Sequence, residues 1–355
     1  MKKYFLYELK KARWQLIIIT AIFTILCGTI AAVMPMQTVW KNYDGTVGTT
    51  TNSPLLSVIA GIMTTMCFIA PVLVYSFKMN KRCVDCYYAL PLKKSKLYLV
   101  KTVIGLMMVL VPFTVAFWVT FLIFLIRPNN PYEMGWFVPA YFGLIFFAIC
   151  LYGHNAFAFT RANSTIDGIV FMIGYQSVIF LIVLLPFVWS GGELFKAQYL
   201  LDFIPEWGSI FFTLHMEGKV VGASVLNDYG TVGFTMTAMT FILPLLRAAA
   251  GYGLLFFLLK YDKAEDSQQI SESWFGYKTL IPIFAATIIG LIVGAVLEFS
   301  LSLAVVLFVM LAVAAFVLVI VWRRKFVFGK TGWIVFGVSL GAGLVLAVIT
   351  ALVIW

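Results

Sequence analysis

Apolar residues in this chain arrive in blocks of about twenty, set apart by short polar stretches, and about twenty is the run needed to cross a ~30 Å hydrocarbon layer. The blocks fall at about 14–36, 55–77, 103–126, 136–158, 168–190, 238–259, 280–298, 301–322 and 333–354. They predict an all-α, polytopic membrane protein with about nine transmembrane helices. Ahead of the first block, Phe5, Leu9, Ala12 and Leu16 recur at helical spacing among Lys2, Lys3, Lys10 and Lys11. This pattern predicts an amphipathic helix over 1–13, lying on the inner membrane surface. The alternation fails over 191–237, where Leu200, Phe203, Trp207, Ile210 and Phe211 are interleaved with Asp202, Pro205 and Glu206. That stretch reads as an external re-entrant segment, tolerated where protein covers its backbone.

Composition agrees with the pattern: 62% of the 355 residues are hydrophobic and 11% charged, against about 45–50% and 25% in soluble domains. Water is therefore not the main solvent, and no soluble domain is expected. The five cysteines include Cys27, Cys67 and Cys150 inside apolar blocks, so they read as small core residues and not as a disulfide framework. The apolar stretch after the basic start is long enough to span, and the segment is expected to remain as a first helix instead of being cleaved.

The net charge of +10 matters through its placement. Of 25 Lys and Arg, 20 lie in alternate connections counted from the N-terminus, at 1–13, 78–101, 159–167, 260–278 and 323–330. The opposite connections hold Lys41, Arg127, Lys196 and Lys219, and Arg247 falls inside a block. Cytoplasmic loops retain cations during insertion, so the N-terminus is predicted in the cytoplasm and the C-terminus, near Trp355, outside. A surplus of this kind is a membrane-orientation signal, and nucleic acid is not expected as a partner.

Few residues suggest chemistry. Gly329-Lys330-Thr331 has the end of a phosphate-binding loop, but Arg324 stands where the first glycine belongs and no strand precedes it. Cys83 and Cys86 form a C-x-x-C without further ligands beside them, and metal is not expected. With one His on each predicted side and no carboxylate deep in a span, no catalytic centre can be assembled and the chain reads as a non-enzyme. Arg247 is an intramembrane cation, an expensive placement that is functional by default. Its alternatives are a contact in a translocation pathway and a packing role near Pro244. His154 and Asn155 either line such a pathway or bridge helices. Gly290-x-x-x-Gly294 and Gly337-x-x-x-Gly341 are expected to let helices approach closely.

The connection from Lys78 to Lys101 reads KMNKRCVDCYYALPLKKSKLYLVK. Two basic clusters bracket an aromatic and apolar patch, presented by a short helix that ends near Pro91. Apolar residues held out in a basic loop suggest a docking surface. On these residues, above all Leu90-Pro91-Leu92-Lys93-Lys94-Ser95-Lys96-Leu97 followed by Lys101, the chain resembles the membrane subunits of type 2 ATP-binding-cassette (ABC) exporters, in the extended form found in Gram-positive bacteria.

The resemblance implies an elbow helix (1–13), a six-span permease core (14–260), a cytoplasmic linker (261–278) and a three-span extension (279–355). It makes 78–101 the coupling loop, with Val84, Asp85, Tyr87, Tyr88, Ala89, Leu90, Pro91, Leu92, Lys93, Lys94 and Lys96 as the residues that meet a separate cytoplasmic ATPase. ATP and Mg would be bound by that partner and no cofactor by this chain. A second permease copy or a paralogous permease, and membrane lipid, are the other implied partners. The implied function is ATP-driven export of an amphipathic or hydrophobic substrate, such as a peptide, an antibiotic or a lipid-like molecule, across a bacterial cell membrane. The alternatives are an antibiotic-sensing or immunity complex of the same build and a secondary transporter, though the latter would require midplane ion sites in repeated halves.

Overall fold

A computed structural model of the chain describes residues 2–34, 37–41, 47–51, 55–128, 132–189, 212–213, 216, 239–263, 265–269, 271, 273–297, 299–324, 326 and 328–354. The expected re-entrant stretch over 191–237 and residue Trp355 lie outside the described residues, apart from Phe212, Thr213 and Met216. In chain order the elements are α1 (Lys2–Val33), β1 (Gln37–Lys41), β2 (Val47–Thr51), α2 (Leu55–Tyr75), α3 (Lys81–Tyr88), α4 (Lys94–Ile126), α5 (Phe137–Thr160), α6 (Thr165–Trp189), α7 (Met239–Phe257), α8 (Tyr277–Leu297), α9 (Leu301–Arg323) and α10 (Lys330–Ile354). Among the described residues nine helices, all of these except α3, are long and apolar enough to cross a membrane. The protein is an all-α, multi-pass membrane protein, as the blocks of apolar residues predict.

Two details differ from the pattern. Residues 1–13 are not set off as a helix of their own: α1 runs unbroken from Lys2 to Val33. Its 32 residues rise about 48 Å at ~1.5 Å per residue, well beyond the ~30 Å hydrocarbon layer. The basic residues end the apolar run without interrupting the helix, because Lys, Leu and Ala are all good helix formers. The connection after α1 contains a small antiparallel hairpin, with Gln37 opposite Thr51 and Lys41 opposite Val47. Thr and Val suit strands.

By contacts the chain forms two compact units. The first takes the described residues of Met1–Val74, Leu92–Asn155 and Pro205–Phe256. At one end of it, Lys101 Nζ on α4 donates to Glu8 Oε2 on α1 at 2.7 Å, and Tyr4 Oη donates to Glu8 Oε1 at 3.0 Å. At the other end of the same two helices, Arg127 Nη1 donates to the carbonyls of Ala31 and Met34, each at 2.8 Å. These carbonyls close the last turn of α1, where the helix has no donors of its own. Between the ends, Phe113 stacks on Tyr141 with centroids 5.8 Å apart, and Tyr152 packs over Gly105.

The second unit takes the described residues of Tyr75–Pro91, Ala156–Ile204 and Phe257–Trp355. Here α8 is the central helix, and α10 lies against it through small residues. A methyl group at Gly290 would stand 2.6 Å from Leu346 Cβ, one at Gly294 would stand 2.5 Å from Thr350 Cβ, and one at Gly343 would stand 2.8 Å from Ile289 Cβ. The glycine pair of α8 thus permits close approach as expected. The pair Gly337 and Gly341 does not: both are exposed and meet nothing within 4 Å. The same spacing on α10 faces away from α8, and Gly343 makes the contact instead. A second cluster, Ile281, Val319, Trp322, Phe328 and Val335, joins α8, α9 and α10 near one end.

Candidate functional site

Helix α3 is short, and its position depends on what holds its two ends. At the start, Asn80 Oδ1 accepts from the Arg82 backbone N–H at 3.1 Å, which satisfies one of the helix's open donors. In the middle, Val84 is 1% exposed and turns inward. At the end, the ring of Tyr87 lies 4.7 Å from that of Phe77. Of the residues expected to meet an ATPase, Asp85, Ala89, Leu90, Pro91, Lys93, Lys94 and Lys96 are exposed, and Tyr87, Tyr88 and Leu92 are half-buried. Val84 is the exception. It anchors the helix from beneath, since an apolar side chain on the inner face of an otherwise polar eight-residue helix is what keeps it seated.

The base of α3 is tied down by charge. Lys78 Nζ lies 3.2 Å from Asp262 Oδ1, and Arg161 Nη2 lies 3.4 Å from Asp262 Oδ2. Lys78 also donates to the Thr160 carbonyl. One carboxylate is shared by two cations, and all three side chains are nearly buried. Backbone contacts extend the arrangement: Ser271 Oγ donates to the Arg161 carbonyl at 2.9 Å, and the Gln268 N–H donates to the Asn163 carbonyl at 2.8 Å. Gln268 reaches this position with φ of 66°, in the left-handed region that few residues other than glycine adopt. A further group adjoins it in sequence, where Tyr277 Oη donates to Asp167 Oδ1 at 2.7 Å and Arg324 Nη2 lies 3.8 Å from Asp167 Oδ2.

Within the second unit, the connections after α2, α5 and α7 are therefore joined, and Arg324, after α9, meets the first turn of α6. Sequence reasoning counted Lys78, Arg161 and Arg324 as orientation signals only and gave Asp262 no role. A usable signal was present: Asp262 follows a span directly, in a set of connections otherwise rich in cations.

The expected pathway residues lie in the first unit. His154 and Arg247 are brought together as walls of one cavity, with Met63, Phe147, Cys150, Leu151 and Pro244. Its volume is about 10 Å³, the room of about one water. Asn155 is not part of it. Its Nδ2 donates to the Cys67 carbonyl at 3.1 Å, so it bridges α5 to α2. Among the described residues, no three His, Cys, Asp or Glu side chains gather as a metal site. Cys83 is half-buried and Cys86 exposed on α3.

No family model, no curated protein and no solved structure matches this chain.

Proposed function

We propose that the chain is the membrane-spanning permease subunit of a bacterial ABC transporter, non-catalytic itself, and that it exports an amphipathic or hydrophobic substrate. The observation that carries this reading is the mounting of α3. A capped helix presents Tyr88, Leu90 and Pro91 among cations, and its base is joined through Lys78 and Asp262 to the connection after α7. Positive-inside retention accounts for the lysines. It does not account for an apolar patch presented among them, which suits a surface that receives a partner.

In this reading two ATPase subunits, each supplying ATP and Mg chemistry, bind at 85–96 on a pair of permease chains. Their closure favours one conformation of the membrane helices over another through the difference in binding between the two states. The 20 to 4 distribution of cations supports a cell-membrane location with the N-terminus and the α3 face in the cytoplasm.

The test is purification of the tagged chain in mild detergent, with mass-spectrometric identification of co-purifying proteins and an ATPase assay of the complex. An ABC ATPase is expected to co-purify. Replacing Tyr87, Tyr88 and Leu90 with Glu is expected to abolish that association while the chain still inserts. Recovery of the chain with no ATPase at all would reject the proposal, and undiminished association of the triple variant would move the interface away from α3.

A further inference from the structure

The cavity that contains His154 and Arg247 is built more firmly than its size suggests. Arg247 lies at the middle of α7, eight residues beyond Met239, where placing a cation in a span costs at least about 2.5–3.5 kcal/mol. Its setting is fixed by close helix contact. A methyl group at Gly251, one turn beyond Arg247, would stand 3.1 Å from the Gly153 carbonyl oxygen and 3.2 Å from His154 Cα. Gly153 and Gly251 let α5 and α7 meet this closely, and His154 and Arg247 line one cavity beside the crossing. Tyr252 Oη donates to the Ile149 carbonyl at 3.0 Å on the same seam, and Asn155 holds α5 to α2 from the other side.

The chemistry of the walls is one-sided. Among the described residues, Met63, Phe147, Cys150 and Leu151 are apolar or weakly polar, and the ionisable groups besides the thiol are an imidazole and a guanidinium. Arg247 remains half-buried and hence accessible, whereas the space beside it holds about one water-sized group. A guanidinium with an imidazole next to it suits oxygens that carry negative charge, and walls of this kind suit a ligand that arrives from an apolar phase.

We infer that this cavity binds the anionic headgroup, a carboxylate or a phosphate, of an amphiphile whose tail stays in the hydrocarbon layer. One headgroup oxygen enters between Arg247 and His154, and the tail lies outside, since the cavity has no room for it. That the amphiphile is cargo rests on the permease reading; the binding site does not.

The probe is an oleate analogue carrying a photoactivatable diazirine near its carboxylate, added to the purified full chain in phosphatidylcholine nanodiscs without any ATPase. Labelling is expected on the segments that contain Met63 and Phe147–His154. A large excess of oleate or dioleoylphosphatidylglycerol is expected to reduce it about tenfold or more, because a competitor with the same anionic headgroup takes the site in proportion to its excess. Oleyl alcohol, which has the same tail and no charge, is expected to leave it nearly unchanged. Competition by oleate alone assigns the site to free fatty acids, and competition by the phospholipid alone assigns it to lipid headgroups. Arg247→Gln is expected to lose the labelling and Arg247→Lys to keep most of it. Equal competition by oleyl alcohol overturns the inference, and that comparison is made on the native chain even where Arg247→Gln fails to fold. Undiminished labelling of a folded Arg247→Gln variant overturns it as well. Because no ATPase is present, these results are separate from the co-purification outcome.

Discussion

Lys78 Nζ lies 3.2 Å from Asp262 Oδ1, with both side chains less than one-tenth exposed. The two residues are 184 positions apart, one just after α2 and the other just after α7. Arg161, just after α5, shares the same carboxylate. A buried pair contributes little by its presence, because removing two charges from water offsets most of their attraction. Its effect is to join three connections, since one carboxylate takes a cation from each of the other two.

Asp262→Asn is accordingly expected to be strongly destabilising, since it leaves two buried cations facing each other without their shared counter-charge. Breaking such a pair from one side costs about 3–5 kcal/mol. Lys78→Met should cost less, because Asp262 keeps Arg161, and Lys78→Met combined with Asp262→Asn should fall between the single variants. Thermal unfolding in detergent measures the order. Equal stability of Asp262→Asn and the native protein would mean that the pair has no structural weight.

The N-terminal turns of α1 yield a second prediction. Glu8 is 3% exposed and Lys101 6% exposed, so deleting residues 2–10 takes the Glu8 carboxylate away from a buried ammonium on α4. The deletion should lower the unfolding temperature, and Lys101→Met in the shortened chain should restore much of the loss. A detached surface helix would behave otherwise, and its removal would leave the unfolding temperature where it was.

How far the chain could be read in advance follows from the solvent. In hydrocarbon each helix must satisfy its own backbone, so a local run of apolar residues is enough to specify a span. The nine helices that are long and apolar enough to span among the described residues were legible for that reason. The continuity of α1 was not, because Lys10, Lys11 and Arg13 mark where the apolar run ends and say nothing about where the helix does. Asn155, for which a pathway and a bridge between helices were both open, bridges α5 to α2, and Arg247 and His154 were singled out one at a time. That they share a cavity depends on the Gly153 and Gly251 crossing, which no single helix reveals. The role of Asp262 is of the same kind, set by partners 101 and 184 residues away.

The two glycine pairs test how much spacing means without a neighbour. Gly294→Ala should be destabilising by about 1–3 kcal/mol, as overpacking usually is, because its methyl group would meet Thr350 Cβ at 2.5 Å and the Ala347 carbonyl at 2.9 Å. Gly341→Ala, with the same spacing on α10, should be neutral or slightly stabilising, since Ala favours helix over Gly by about 0.8–1.0 kcal/mol. Unfolding of the two variants side by side decides it. If Gly341→Ala proved as damaging as Gly294→Ala, α10 would use that face against another surface.

The cysteines report which side of the membrane α3 occupies. Cys27, Cys67 and Cys150 are buried, Cys83 is half-buried, and Cys86 is exposed, all of them free thiols. A membrane-impermeant maleimide should therefore label the native protein at Cys86 above all, in inside-out vesicles and not in intact cells. Cys86→Ser should remove most of the signal without changing insertion, since the side chain points away from the protein. Labelling of Cys86 in intact cells would place α3 outside. That result would reverse the orientation drawn from the cations and remove the ground for a cytoplasmic ATPase at this helix. It would leave the packing of α8 on α10 and the Lys78, Arg161 and Asp262 contacts untouched, because neither depends on which face meets the cytoplasm.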